Sequence, residues 1–252
     1  MTTLQNIPIV EGNVFWVSGL KLARTGNTAA TVTAGYCRDS LNQVTMSTSV
    51  TTTLTLAGTG LNGLDTGTIA ASTFYAVYMI ADVQNRNATG FLISTNATTP
   101  LLPQGYSNYE RIGWLLTDSS SHVLPFEQAG PAGTRIYQWD TAIRVLNAGT
   151  SATFAAFTLQ TAMPSLAIPV NLTVSFTANA AGDTGLIRPT GSTETTLTPI
   201  QIGSPAASHA LVVSNQQIIP ILVTGNPSLD YIVAASGSMT VWVAGFTDYI
   251  GL

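Results

Sequence analysis

The sequence predicts an all-β protein built as two consecutive antiparallel domains of the β-sandwich or jelly-roll kind. Three observations lead there. Short runs of β-branched and aromatic residues recur at intervals of roughly 8–12 residues, bounded by Gly, Pro, Asn and Asp. Within the runs, apolar and polar residues alternate with period 2, the pattern of a half-buried strand. No stretch carries a helical stripe, a heptad seam or a Gly-X-Y tract, so bundles, coiled coils and collagen-like shafts are excluded.

The elements follow in order. Residues 1–16 read as an N-terminal arm, because Pro8 and Gly12 break regular structure. Its Val14, Phe15 and Trp16 are candidates for packing on a neighbouring subunit, the alternative being a first strand of the domain. The first domain, 17–130, opens with alternation at Leu20, Leu22, Ala30, Val32, Ala34 and Tyr36, continued by the Thr-rich run 50–56. Threonine suits such strands because its branched Cβ fits the pleat while its hydroxyl stays hydrated. A meander is expected next: strands at 73–80, 90–94, 112–116 and 122–126, with a loop marked by Pro100, Pro103 and Gly105.

Pro131 between two glycines suggests a linker over 128–134. The second domain, 131–252, then needs a short strand at 135–140 and further strands at 143–146, 152–159, 170–176, 211–213, 218–223, 231–233 and 239–243. Residues 178–207, rich in Ala, Gly, Thr and Pro, read as a long loop. Trp114 and Trp242 fall inside strand patterns and are expected in the core. Tyr106 and Tyr109 flank a loop and are the better candidates for an interface.

Composition narrows the function. Of 252 residues 45% are hydrophobic, so a core can form, but only 8% are charged, against roughly 25% in an ordinary soluble protein. The exterior must therefore be Thr, Ser, Asn, Gln and Gly, or be covered by other subunits. Net charge is −4. The cations are Lys21, Arg24, Arg38, Arg86, Arg111, Arg135, Arg144 and Arg188, scattered without a patch. That argues against nucleic acid as a partner, which needs phosphate-neutralising cations on one face. No run reaches the roughly 18 apolar residues of a membrane helix, and the first residues lack a secretory signal. The expectation is folding in a cytoplasm, without a membrane partner.

Motifs for chemistry are sparse. His122 and His209 are the only histidines and share no metal spacing. No Gly-x-Ser-x-Gly elbow occurs. The twelve acids are not paired in sequence, so a glycosidase is disfavoured. Asp65, between Leu64 and Thr66-Gly67, is expected to fasten a turn rather than bind calcium. Cys37, the lone cysteine, excludes an intramolecular disulfide and reads as a small buried side chain. No catalytic, cofactor or metal residue is expected.

Several phrases carry a resemblance: GLDTG, TFYAVYMI, LISTNATTPLLPQGY, RIGWLLTD and a later Tyr-x-Trp-Asp. From about Val17 to Tyr249 the chain resembles a family of accessory virion proteins of tailed bacteriophages and prophages, carried on the head surface or in the tail. The resemblance implies a non-enzymatic structural role, as a capsid decoration or cement protein or a tail-attached subunit. It implies location in the virion after assembly in the host bacterial cytoplasm, and partners among the major capsid or tail proteins. Together with the neutral surface it suggests a homotrimer. The alternative is a receptor-binding tail-fibre module recognising host-surface glycan. The family brings no catalytic residues to transfer.

Overall fold

The structure is a computed structural model that describes residues 17–82, 89–165, 169–196, 198, 200–203, 210–220, 227–233 and 237–250. Among these residues there is no helix, and the strands form antiparallel sheets throughout, apart from one short parallel pair.

Six short strands open the chain: β1 (Val17–Gly19), β2 (Leu22–Gly26), β3 (Ala29–Val32), β4 (Gly35–Arg38), β5 (Thr45–Thr48) and β6 (Thr52–Thr55). They are one three-stranded meander folded across a corner. β1, β4 and β5 form one sheet, and β2, β3 and β6 the other. The ladder continues through the corner, because Leu20 N–H donates to Ala34 O (3.2 Å) and Thr33 N–H to Lys21 O (2.9 Å). The bend needs Gly19 at φ +64°, with Leu20 at +51° beside it. A Cβ on Gly19 would strike the carbonyl oxygen of Ala34, so glycine is required twice over, for its dihedral and for the close approach. Alternation buries Val17, Leu20, Leu22, Val32, Cys37, Met46 and Leu54 on the inner side of the fold.

That inner side closes on a second sheet of β7 (Gly63–Leu64), β8 (Phe74–Asp82), β9 (Thr89–Ser94) and β10 (Tyr106–Leu116), in the order β10-β8-β9-β7. β8 lies in the middle and is buried on both faces, which is why its sequence is continuously apolar rather than alternating. Met79 on one face meets Cys37, sulfur to sulfur 3.6 Å. Phe74 on the other meets Trp139 and Phe246 of the C-terminal half, ring centroids 6.3 and 6.4 Å apart.

The expected strand over 122–126 is a correction. Only one bridge forms there, between Thr117 and Val123. The Asp118 carboxylate accepts the N–H groups of Ser120 and His122, both at 2.8 Å, and curls the chain into a turn. β11 (Phe126–Ala129) begins only at its last residue. The segment read as a linker is the turn of a hairpin, since β11 pairs directly with β12 (Thr134–Gly149). Gly130 at φ +106° lets the chain reverse. β12 also absorbs the two expected strands at 135–140 and 143–146 into one, with a bulge between Gln138 and Ile143.

The rest of the chain supplies β13 (Ala155–Thr158), β14 (Pro169–Thr177), β15 (Thr184–Pro189), β16 (Ile200–Gly203), β17 (Ala210–Pro220), β18 (Ser228–Val233) and β19 (Ser238–Tyr249). Two sheets result, β11-β12-β19-β14-β17 and β13-β18-β15-β16. They face each other as a sandwich: a Cβ on Gly185 of β15 would lie 2.5 Å from Met239 Cε and 3.0 Å from Phe176 Cδ2. The loop expected over 178–207 instead contains β15 and β16. Asp183 ties the N–H groups of Asn179 (3.0 Å) and Ala180 (2.8 Å) into a tight turn, so the chain returns at once as β15. Trp242 also departs from expectation. With Val241 and Val243 on the inner face, period-2 alternation puts it half-buried on the outer one, opposite Thr173 and Arg144.

Candidate functional site

Among the described residues, the densest chemistry lies where the edge of β10 meets β12 and β19. Bulging at Ile112 interrupts the register of β10 and β8 between Arg111 and Gly113. The next residues therefore present their outer backbone edge to the C-terminal half. Among the described residues no strand pairs with that edge; side chains do. Trp114 N–H donates to the Tyr137 hydroxyl (2.7 Å), which also accepts from Gln128 Nε2 (2.7 Å). Gln128 Oε1 in turn accepts from Leu22 N–H (2.7 Å). Arg135 Nη2 reaches back to Gly19 O (2.8 Å) at the corner. Gly113 is small because a Cβ there would lie 2.5 Å from the Tyr137 oxygen and 2.7 Å from Leu22 Cδ1.

Beside this seal, Arg111 forms a two-pronged ion pair with Asp248, one prong Arg111 Nη2 to Asp248 Oδ1 at 3.2 Å. Trp114 Nε1 donates to Asp248 Oδ2 (2.9 Å), and the Arg111 guanidinium stands 4.8 Å from the centre of the Trp114 ring. Asp248 is wholly buried. Burial opposes the charge on Arg111, but the adjacent Asp248 outweighs it and holds the guanidinium above its usual pKa. Arg135 is pushed down by burial, although Tyr137 and Asp248 oppose this. Burial raises the Tyr137 hydroxyl far out of the physiological range, with the Asp248 charge adding to it. Such groups hold their protonation states across neutral pH. They suit a permanent joint, not proton transfer.

One titratable group near this joint is different. The Glu110 carboxyl is pushed up to about 7 by burial, with Arg111 opposing and Asp39 adding to the shift. Burial likewise lifts the Cys37 thiol well above its usual value, helped by Glu110 and Asp39, so it is not a nucleophile. Asp39 stays low despite burial, because it accepts from Val44 N–H (2.7 Å), Asn108 Nδ2 (3.0 Å) and Gln43 N–H (2.6 Å).

A cavity of about 380 Å³ opens where the ends of β8 and β10 meet the β13–β14 connection. Phe74, Trp114 and Met163 contribute apolar surface to its lining, and Thr95, Gln160 and Ser165 contribute polar surface. A second cavity of about 340 Å³, bordered by Asp65, Asn96 and Leu101, shares Thr95 with the first.

The residues expected from the sequence fall as follows. Val14, Phe15 and Trp16 lie outside the described residues, as does His209. Tyr106 and Tyr109 sit at the start of β10, half-buried against the core, and Tyr109 packs edge-on to Tyr78 at 5.9 Å. They are not brought together with the seam. Asp65 fastens a loop by accepting from Leu101 N–H (2.9 Å). His122 stands 3.8 Å from Asp118 on an open turn. Among the described residues, no three of His, Cys, Asp and Glu gather as metal ligands would.

Sequence reasoning missed Arg111, Arg135 and Asp248. The available signal was an arginine directly before the apolar run Ile112–Leu116, in a chain where charge is rare. Its partner, 137 residues away, left no such mark. In comparison with known proteins, no family model, no curated protein and no solved structure matches this chain.

Proposed function

We propose that the chain is a non-enzymatic structural subunit of a tailed-bacteriophage virion, a decoration or cement protein of the capsid surface or a tail-attached protein. It stabilises the particle through contacts between β domains and associates with itself as a homotrimer. The placement in a virion rests on the sequence phrases given above. The observation that carries the structural role is where the charges go. Arg111, Arg135, Asp248, Asp39, Asp183, Arg188 and Asp230 are all engaged within the fold. Among the described residues, only Lys21, Glu127, Asp140, Arg144 and Glu194 are charged and exposed. Glu194 itself accepts the N–H groups of Thr195 (2.9 Å) and Thr196 (2.7 Å). The other exposed residues are largely neutral, hydroxyl and amide side chains together with apolar ones such as Leu41, Val50 and Leu101, a surface suited to broad contact with other subunits.

Two measurements test this. Mass spectrometry of gradient-purified particles from a host carrying the gene should find the chain in fixed ratio to the major capsid protein. Particles without it would overturn the assignment. Light scattering of the purified protein should give three times the chain mass, and a monomer would overturn the trimer.

A further inference from the structure

We propose that the two cavities joined at Thr95 form one binding groove for an uncharged oligosaccharide. This goes beyond the structural role, which stands with or without it.

Two aromatic rings, Phe74 and Trp114, line the first cavity and pack on each other. Phe74 packs edge-on to Trp114 and Phe246 (6.4 Å each) and tilted against Trp139 (6.3 Å). Of these four rings, Phe74 alone is not fully buried, and it lines the cavity. A partly exposed ring held by three others is a platform for the apolar face of a pyranose. Thr95, Gln160 and Ser165 line the same cavity, Gln160 Nε2 donating to Ser165 Oγ (3.4 Å), and such hydroxyl and amide groups both donate and accept, as sugar hydroxyls require. Among the described residues no charged side chain lines this cavity, which selects against sulfated and sialylated sugars. Among the described residues lining the second cavity Asp65 is the one carboxylate; its Oδ2 already accepts from Leu101 N–H (2.9 Å), and its Oδ1 is an acceptor suited to a sugar hydroxyl.

The groove is built before any ligand arrives. The loop between the cavities is pinned by Asn96, whose Oδ1 accepts from Thr98 N–H (3.0 Å) and Thr99 N–H (3.2 Å). Its carbonyl accepts from the Tyr78 hydroxyl (2.8 Å). Preorganisation of this kind lowers the entropy lost on binding. The volumes, about 380 and 340 Å³, fall in the range of small-molecule sites.

Saturation-transfer NMR on the full chain tests the assignment. The probes are neutral oligosaccharides of hexoses and N-acetylhexosamines, with sialylated and sulfated oligosaccharides as acidic counterparts. Transfer to neutral members is expected. Gln160→Ala should weaken it about tenfold through loss of hydrogen bonds. Thr95→Trp, which fills the junction from an exposed position, should abolish it. Both variants should melt with the parent, because both side chains are exposed. Transfer to no neutral sugar, transfer to acidic sugars alone, or undiminished transfer in Thr95→Trp would each overturn the proposal.

Discussion

Asp248→Asn is the sharpest test of the seam between the halves. Asparagine keeps the shape and an oxygen that still accepts from Trp114 Nε1, now 2.9 Å from Asp248 Oδ2. It removes only the negative charge. Arg111, whose side chain is 15% exposed, is then a buried cation without its counterion. Breaking such a pair from one side costs about 3–5 kcal/mol. For a chain of this size that lowers the melting temperature by about 6–20 °C. A second variant, Arg111→Leu combined with Asp248→Asn, removes the stranded cation and should recover most of the loss. Urea unfolding of the parent, the two single variants and the double variant closes the cycle, with a coupling above about 1 kcal/mol expected. The loss should persist at high salt, since a pair shielded from water is little screened. If Asp248→Asn costs under about 1 kcal/mol, or the double variant loses the sum of the singles, the ion pair does not hold the seam and the argument fails.

Two further expectations concern Glu110 and Gly19. The Glu110 carboxyl keeps its proton up to about 7 in the folded chain, against an ordinary value of 4.5. Between those values the native state binds more protons than the unfolded one, so stability falls as pH rises through this window and stays reduced above it. Glu110→Gln should flatten the profile and exceed the parent at pH 8 by up to about 3 kcal/mol. A parent whose urea midpoint does not change between pH 5 and pH 8 would disprove the account. Gly19→Ala, strained at φ +64° and set against Ala34, should cost more than about 2 kcal/mol or prevent folding. Gly58→Ala, with nothing within 4 Å of the added methyl, is the control. Equal melting of the two variants would mean the corner is not built as described.

Strands whose burial follows a simple rule were legible in the sequence. β8 is covered on both faces and reads as an unbroken apolar run, and β14 is covered on one face and alternates. Elements whose existence depends on a turn were not. β15 and β16 lie in a Gly-, Thr- and Pro-rich stretch that composition assigns to loop. What makes β15 a strand is the Asp183 turn before it and β18 waiting beside it. The hairpin of β11 and β12 hid behind its own Gly-Pro-Ala-Gly turn for the same reason. Trp242 shows the limit of residue type as a guide: tryptophan favours the core, but parity along β19 decided its face. The seam was the least legible feature. Period and propensity act over a few residues, whereas Arg111 and Asp248 meet only because two sheets pack.

The inward use of charge also bears on how fast this protein finds its neighbours. Oppositely charged surfaces draw proteins together and can raise association rate constants from roughly 10⁵–10⁶ to 10⁸ M⁻¹s⁻¹ or more. Among the described residues only Lys21, Glu127, Asp140, Arg144 and Glu194 are exposed charges, and Arg24, Arg38, Asp65, Asp82 and Asp118, partly exposed, are of mixed sign, so the field available to do this is weak. Encounters are left to diffusion and to the fit of neutral faces. Docking should therefore proceed at an unsteered pace that is nearly the same in dilute buffer and in strong brine, limited by how many copies are present rather than by the ions around them.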